Sequence, residues 1–231
     1  MKKGKGVKKV LFVVTSCNVK GETGLRTGFN LAEVTHPLEK LEEKDIVVTI
    51  ASIKGGVALT DGLESLDDPV IAKYMADEDF RNAIANTIKL DDAKVSDYDA
   101  IFFAGGHGTM WDFPDTPSVL TFVPEFYESG KIVSAVCHGP AALVNAKLSD
   151  GSFLISGKNV TAFTNDEEEE VQSTNVVPFL LANALTAHGA IYHNSPNWNN
   201  NVIIDGRLIT GQNPQSAASL GEVLAQLLLN K

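Results

Sequence analysis

Four short apolar runs punctuate the first two thirds of the chain, at residues 10–14, 46–50, 100–104 and 132–136. Each is rich in β-branched or aromatic residues and follows a charged or glycine-bearing stretch, so each reads as a strand buried on both faces. Between them, apolar positions recur at helical spacing over residues 29–41, from 69 to about 88, and over 119–127. Strand alternating with helix implies parallel strands joined by right-handed crossovers. The pattern predicts an α/β fold: an open, mostly parallel sheet with helices on both faces.

Downstream, residues 159–164 read as a further strand and 176–187 as a helix. Residues 202–204 and 208–210 flank Asp205-Gly206-Arg207, a signal for a late β-hairpin. Residues 214–229 close the chain as an amphipathic helix. No repeat or low-complexity linker interrupts the 231 residues, which read as a single domain. Segments 55–68 and 165–173 are expected as surface insertions, the second because it carries the acidic run 166–170.

Composition narrows the classes. Hydrophobic residues make up 44% and charged residues 21%, far from the signature of disorder. The longest apolar stretch, 176–192, is broken by Pro178, Asn183, Thr186 and His188, so no membrane span is expected. A net charge of −10 repels phosphate backbones, which argues against nucleic acid as a partner. The two cysteines, Cys17 and Cys137, form no CxxC, and the apolar run after the basic start is too short for a signal peptide. Both features point to the cytoplasm.

Candidate chemistry concentrates in KIVSAVCHGPAAL, residues 131–143, where a strand runs straight into Cys137 and Gly139-Pro140 opens a helix. Such a turn places a nucleophile in a tight bend above the carboxyl ends of the strands. A free cysteine is only about 3% thiolate at neutral pH. A helix N-terminus favours the anion, so the sulfur is expected to be an accessible thiolate of lowered pKa. Cys17 has no candidate base beside it and is read as structural.

A second segment, AGGHGTMWDFP at residues 104–114, ends another strand, and its glycines allow backbone N–H groups to approach an oxyanion. The dinucleotide fingerprint fails because Trp111 stands where the third glycine belongs, so no cofactor is implied.

With AVCHGPAAL, AGGHGTMWDFP, FTNDEEE and the late TGQNPQSA in place, the chain resembles the ThiJ/PfpI superfamily, and within it the glyoxalase III and stress-induced, chaperone-like branch. The resemblance implies a flavodoxin-like sheet and, as in many relatives, a homodimer; the expected chemistry uses no cofactor, and no residue is assigned to a metal. It makes Cys137 the nucleophile, His138 its base, and Glu168, one of four consecutive glutamates, the carboxylate that orients the imidazole. Glu33 would stand beside the sulfur as a protonated carboxyl, although on its helix the pattern alone makes it solvent-facing. Gly106 and His138 would supply N–H groups to an oxyanion, and His107 would wall the pocket. Trp198 reads as a loop anchor or lid, and Asn213 or Ser216 as a cap of the last helix.

No histidine is followed two residues later by glutamate, which disfavours glutamine amidotransfer. The leading expectation is a cofactor-independent enzyme that converts methylglyoxal to D-lactate through a cysteine hemithioacetal. A holdase chaperone binding unfolded proteins, a thiol oxidation sensor, and a cysteine hydrolase, amidase or deglycase remain alternatives.

Overall fold

A computed structural model of the protein describes residues 6–61 and 66–230. Its strands in chain order are β1 (Lys9–Val14), β2 (Val47–Ser52), β3 (Ile88–Lys89), β4 (Ala100–Phe103), β5 (Ile132–Val136), β6 (Asn159–Val160), β7 (Ile191–Tyr192), β8 (Val202–Asp205) and β9 (Leu208–Gly211). Seven of them form one sheet in the order β3-β2-β1-β4-β5-β9-β8, parallel throughout except for the hairpin β8–β9. The chain winds outward from β1 to β2 and then resumes on the other side of β1 with β4. Apart from the two-residue edge strand β3, this is the flavodoxin-like order, which sends crossovers to opposite faces and opens a crevice at the carboxyl ends of β1 and β4. The α/β expectation is met.

The helices are α1 (Ala32–Glu42), α2 (Pro69–Ala76), α3 (Glu78–Ala85), α4 (Thr109–Asp112), α5 (Pro117–Glu128), α6 (Asn165–Glu170), α7 (Leu181–Ala187) and α8 (Ala217–Leu229). Strand alternation divides the core between the two faces. Val10, Phe12 and Val14 of β1 join Leu38 of α1 and Leu224 of α8, whereas Leu11 and Val13 join Val123 of α5 and Leu185 of α7. Both faces of β1 are buried, which is why its sequence reads as a continuous apolar run. Each such Phe or Leu contributes about 1.5–3 kcal/mol on burial.

Several expectations need correction. The helix expected from 69 to about 88 is two helices, because Asp77 leaves the helical region with ψ 124° and its carboxylate caps α3 through the Asp79 N–H. The helix expected over 176–187 starts only at Leu181, since Pro178 restrains the residues before it. The strand expected over 159–164 shrinks to β6, which pairs with β7 outside the main sheet. The acidic segment 165–173 is not a surface insertion: it contains α6, with Glu167 and Glu168 buried. Segment 55–68 lies partly outside the described residues; at its end, the Asp68 carboxylate caps α2 by accepting from the Val70 and Ile71 N–H groups. Among the described residues, no helix is long and apolar enough to cross a membrane.

Candidate active site

Cys137 directly follows β5 and has a φ of +60°, a left-handed conformation that costs a non-glycine residue on the order of 1 kcal/mol. The bend is held from both sides. The Cys137 N–H donates to the Gly211 carbonyl at the end of β9 (2.9 Å), and the Cys137 carbonyl accepts from the Phe163 N–H (2.9 Å). Beyond it lies a five-residue 3₁₀ turn, Gly139–Leu143, in place of the expected α-helix. The His138 N–H at its start favours the sulfur anion, but burial of the sulfur outweighs that help.

His138 reaches in both directions. Its Nδ1 lies 3.5 Å from the Cys137 sulfur and its Nε2 lies 2.7 Å from Glu168 Oε2. The other oxygen of Glu168 sits 2.7 Å from His107 Nε2. A carboxylate only accepts, so both Nε2–H groups donate to Glu168. The imidazoles lie 4.2 Å apart between centroids, and Phe163 covers His138 at 4.4 Å. Glu168 is delivered by α6, whose start is fixed by a capping box between Thr164 and Glu167.

Burial resists ionisation of Glu168, but the combined pull of His138 and His107 outweighs it and holds the carboxyl well below the usual range. Burial, reinforced by His138, lowers His107 to about 4 despite the facing carboxylate. His107 therefore stays neutral and stabilises Glu168 by donating a hydrogen bond, which requires no charge. These two histidines and Glu168 also hold the ligand atoms, all within 4.8 Å of one another, with which a metal ion could bind.

Glu33, at the start of α1, is fully buried, contrary to the solvent-facing position its helical pattern suggests. Its Oε2 accepts from the Gly105 N–H (2.7 Å), while Oε1 is sealed without a well-formed hydrogen bond. The group that couples to this carboxyl is the Cys137 sulfur. Burial raises Glu33 to about 8, so it is protonated at neutral pH. Burial likewise pushes the Cys137 thiol well above its ordinary value, and a Glu33 carboxylate would push it further. The expected standing thiolate is thus overturned. Cys137 is only 3% exposed, and its raised pKa makes it a thiol that must hand its proton to a neighbour.

Glycine is required around this pair. A Cβ on Gly105 would lie 2.5 Å from Glu33 Oε2 and 2.8 Å from the His138 nitrogen. Gly106 has a φ of +98°. Among the described residues, neither the Gly106 nor the His138 N–H is spent on another backbone carbonyl.

Asn213 and Ser216 do not cap the last helix. The Asn213 amide instead donates to Glu167 (2.8 Å) and the Ser216 hydroxyl to Asn213 (2.9 Å). Glu167, hidden in the acidic run, is the buried group that sequence reasoning missed; the Thr-x-x-Glu spacing from Thr164 was the signal available for it. Lys20 is the other, half-buried and close enough to Glu168 and Asp61 to feel both charges. Cys17 donates to the Val19 carbonyl (3.2 Å), apart from this cluster.

The sequence signature of the DJ-1/PfpI family matches residues 24–227. The chain belongs to the DJ-1/PfpI family. Among curated relatives, glyoxalase 3 of Candida albicans is 34% identical, over 93% of this chain and 95% of its own. Two solved structures superpose closely on this chain. The Rapid Encystment Protein 24 KDa of Francisella tularensis has a TM-score of 0.92 and 40% identity, covering 96% of this chain and 99% of its own. The glyoxalase III of Candida albicans has a TM-score of 0.87 and 31% identity, covering 95% of this chain and 96% of its own.

Proposed function

We propose that this DJ-1/PfpI protein is a glutathione-independent glyoxalase that isomerises a small 2-oxoaldehyde, methylglyoxal, to D-lactate. The observation that carries the reading is Glu33. A hydrolase needs a nucleophile, a base and an oxyanion site, whereas a carboxyl sealed beside the sulfur and poised near 8 adds an acid–base group able to shift protons between adjacent substrate carbons. The names of the glyoxalase relatives support the same choice.

In this reading His138 Nδ1 takes the Cys137 proton as the sulfur adds to the aldehyde carbon. The oxyanion forms against the Gly106 and His138 N–H groups and receives a proton from Glu33, giving the hemithioacetal. Glu33, now ionised, removes the proton from that carbon, while protonated His138 supplies the neighbouring oxygen, giving an enediol. Return of the proton from Glu33 to the second carbon, with loss of the first hydroxyl proton to His138, yields the lactoyl thioester. One carbon is oxidised and its neighbour reduced, so no external redox partner is needed. Water, deprotonated by the Glu33 carboxylate, then attacks the thioester carbon; the departing sulfur takes its proton back from His138, which releases lactate and restores the thiol, neutral His138 and protonated Glu33. Protonation from one fixed side fixes the configuration. His107, held by Glu168, offers its Nδ1 lone pair to a substrate hydroxyl.

The test is D-lactate formation from methylglyoxal without glutathione, in the wild type and in Cys137→Ala. Conversion by the wild type and loss of more than about 10³-fold in the variant is expected. Unchanged conversion by Cys137→Ala, or none by the wild type, would refute the reading. The proposal includes a homodimer and a cytoplasmic location. Sedimentation at micromolar concentration tests the dimer, and a monomeric mass would remove it.

A further inference from the structure

Glu167 is fully buried, has no part in the chemistry above, and stands beside Glu168 on the short helix α6. Donors from separate segments converge on it. Oε2 accepts from the Thr164 N–H (3.0 Å), and Oε1 from the Trp198 N–H (2.9 Å), Gln212 Nε2 (3.1 Å) and Asn213 Nδ2 (2.8 Å). Gln212 and Asn213 also grip the loop that carries Trp198. Gln212 exchanges two hydrogen bonds with the Ser195 backbone (2.8 and 3.1 Å), and Asn213 donates to the Asn199 carbonyl (2.9 Å). These residues belong to the GQNPQSA segment, to which the reaction assigns no other task.

Trp198 has a φ of +60°, which a bulky residue keeps only where its surroundings over-determine it. Its ring meets Phe163 edge-on at 5.7 Å, and Phe163 in turn lies against His138. Trp198 packs on the same apolar cluster that contains Cys137. Adjacent glutamates thus divide the labour: Glu168 holds the two histidines, and Glu167 holds the loop beside them. Only a carboxylate suits this position, because every group aimed at it is a donor, and a glutamine would turn an NH₂ toward one of them.

We propose that Glu167, Gln212 and Asn213 form a latch that fixes Trp198 as the wall limiting the size of the 2-oxoaldehyde that reaches Cys137. Glu167 is a positioning residue acting through Trp198, and the inference rests on the glyoxalase reading. The test compares methylglyoxal with the bulkier 3,3-dimethyl-2-oxobutanal in the wild type, Glu167→Gln and Trp198→Ala. Both variants should move the ratio of kcat/KM toward the bulky aldehyde by about tenfold, and Glu167→Gln should keep the wild-type rate of Cys137 alkylation by iodoacetamide. Glu167→Gln in a Trp111→Phe background should also red-shift the Trp198 fluorescence. Wild-type ratios in both variants would overturn the latch. So would a Glu167→Gln protein that loses turnover and alkylation together at an unchanged ratio, since Glu167 would then merely support Glu168. Should Glu167→Gln fail to fold, the Trp198→Ala ratio decides. If the wild type turns over neither aldehyde, the glyoxalase reading fails instead, and an unshifted Trp198 spectrum in Glu167→Gln removes the latch independently.

Discussion

Glutamine at position 33 keeps the shape of Glu33 and removes its proton chemistry, so a comparison with the wild type isolates one titration. The folded protein holds the Glu33 proton up to about 8, whereas an unfolded chain releases it near the ordinary value of 4.5. Below 4.5 both states are protonated and this group adds no pH dependence. Between 4.5 and about 8 unfolding releases a proton, so stability falls as pH rises; above about 8 the loss is complete. Each pH unit inside the window removes up to about 1.4 kcal/mol. From about pH 5.5 to about pH 7.5, the wild type should therefore lose about 3 kcal/mol relative to Glu33→Gln. The other titrating groups are common to both proteins and cancel in the difference. Urea unfolding followed by circular dichroism, with slopes checked at each pH, measures it. Parallel stability curves would show that Glu33 ionises in the fold as it does in the unfolded chain, and its acid–base role would fall with that result.

Replacing His107 with phenylalanine leaves one oxygen of Glu168 without its donor in a buried site. It should lower kcat/KM for methylglyoxal by about 10- to 100-fold, and wild-type kinetics would show that Glu168 needs only His138. Gly105→Ala drives a Cβ against Glu33 and the His138 backbone; a loss of about 2 kcal/mol or more in thermal unfolding is expected, and an unshifted Tm would contradict the crowding seen there. In a Cys17→Ser background, iodoacetamide alkylation of Cys137 should rise with a midpoint above the ordinary thiol value of 9.0, and a midpoint near neutrality would restore the standing thiolate.

The sequence alone carried the sheet and its rim. The runs that became β1, β4 and β5 are apolar on both faces, which only strands covered on both sides require, whereas the run of β2 was read the same way although Val47 is exposed at its start. The passage from β5 into Cys137 announced the bend because an apolar run stops there without a turn residue. His138, Glu168 and Glu33 were legible through family motifs, since their local patterns read as a turn, a solvated acidic run and an exposed helix face. Burial is a property of what packs around a residue, and nothing within a few positions of Glu33 or Glu167 records that Gly105, Trp198 and Asn213 close over them from up to 72 positions away. The state of the sulfur was decided at the same level. A thiol at the start of a helix and a thiol sealed against a protonated carboxyl share one sequence, and only the tertiary arrangement fixes which desolvation and which charges it meets.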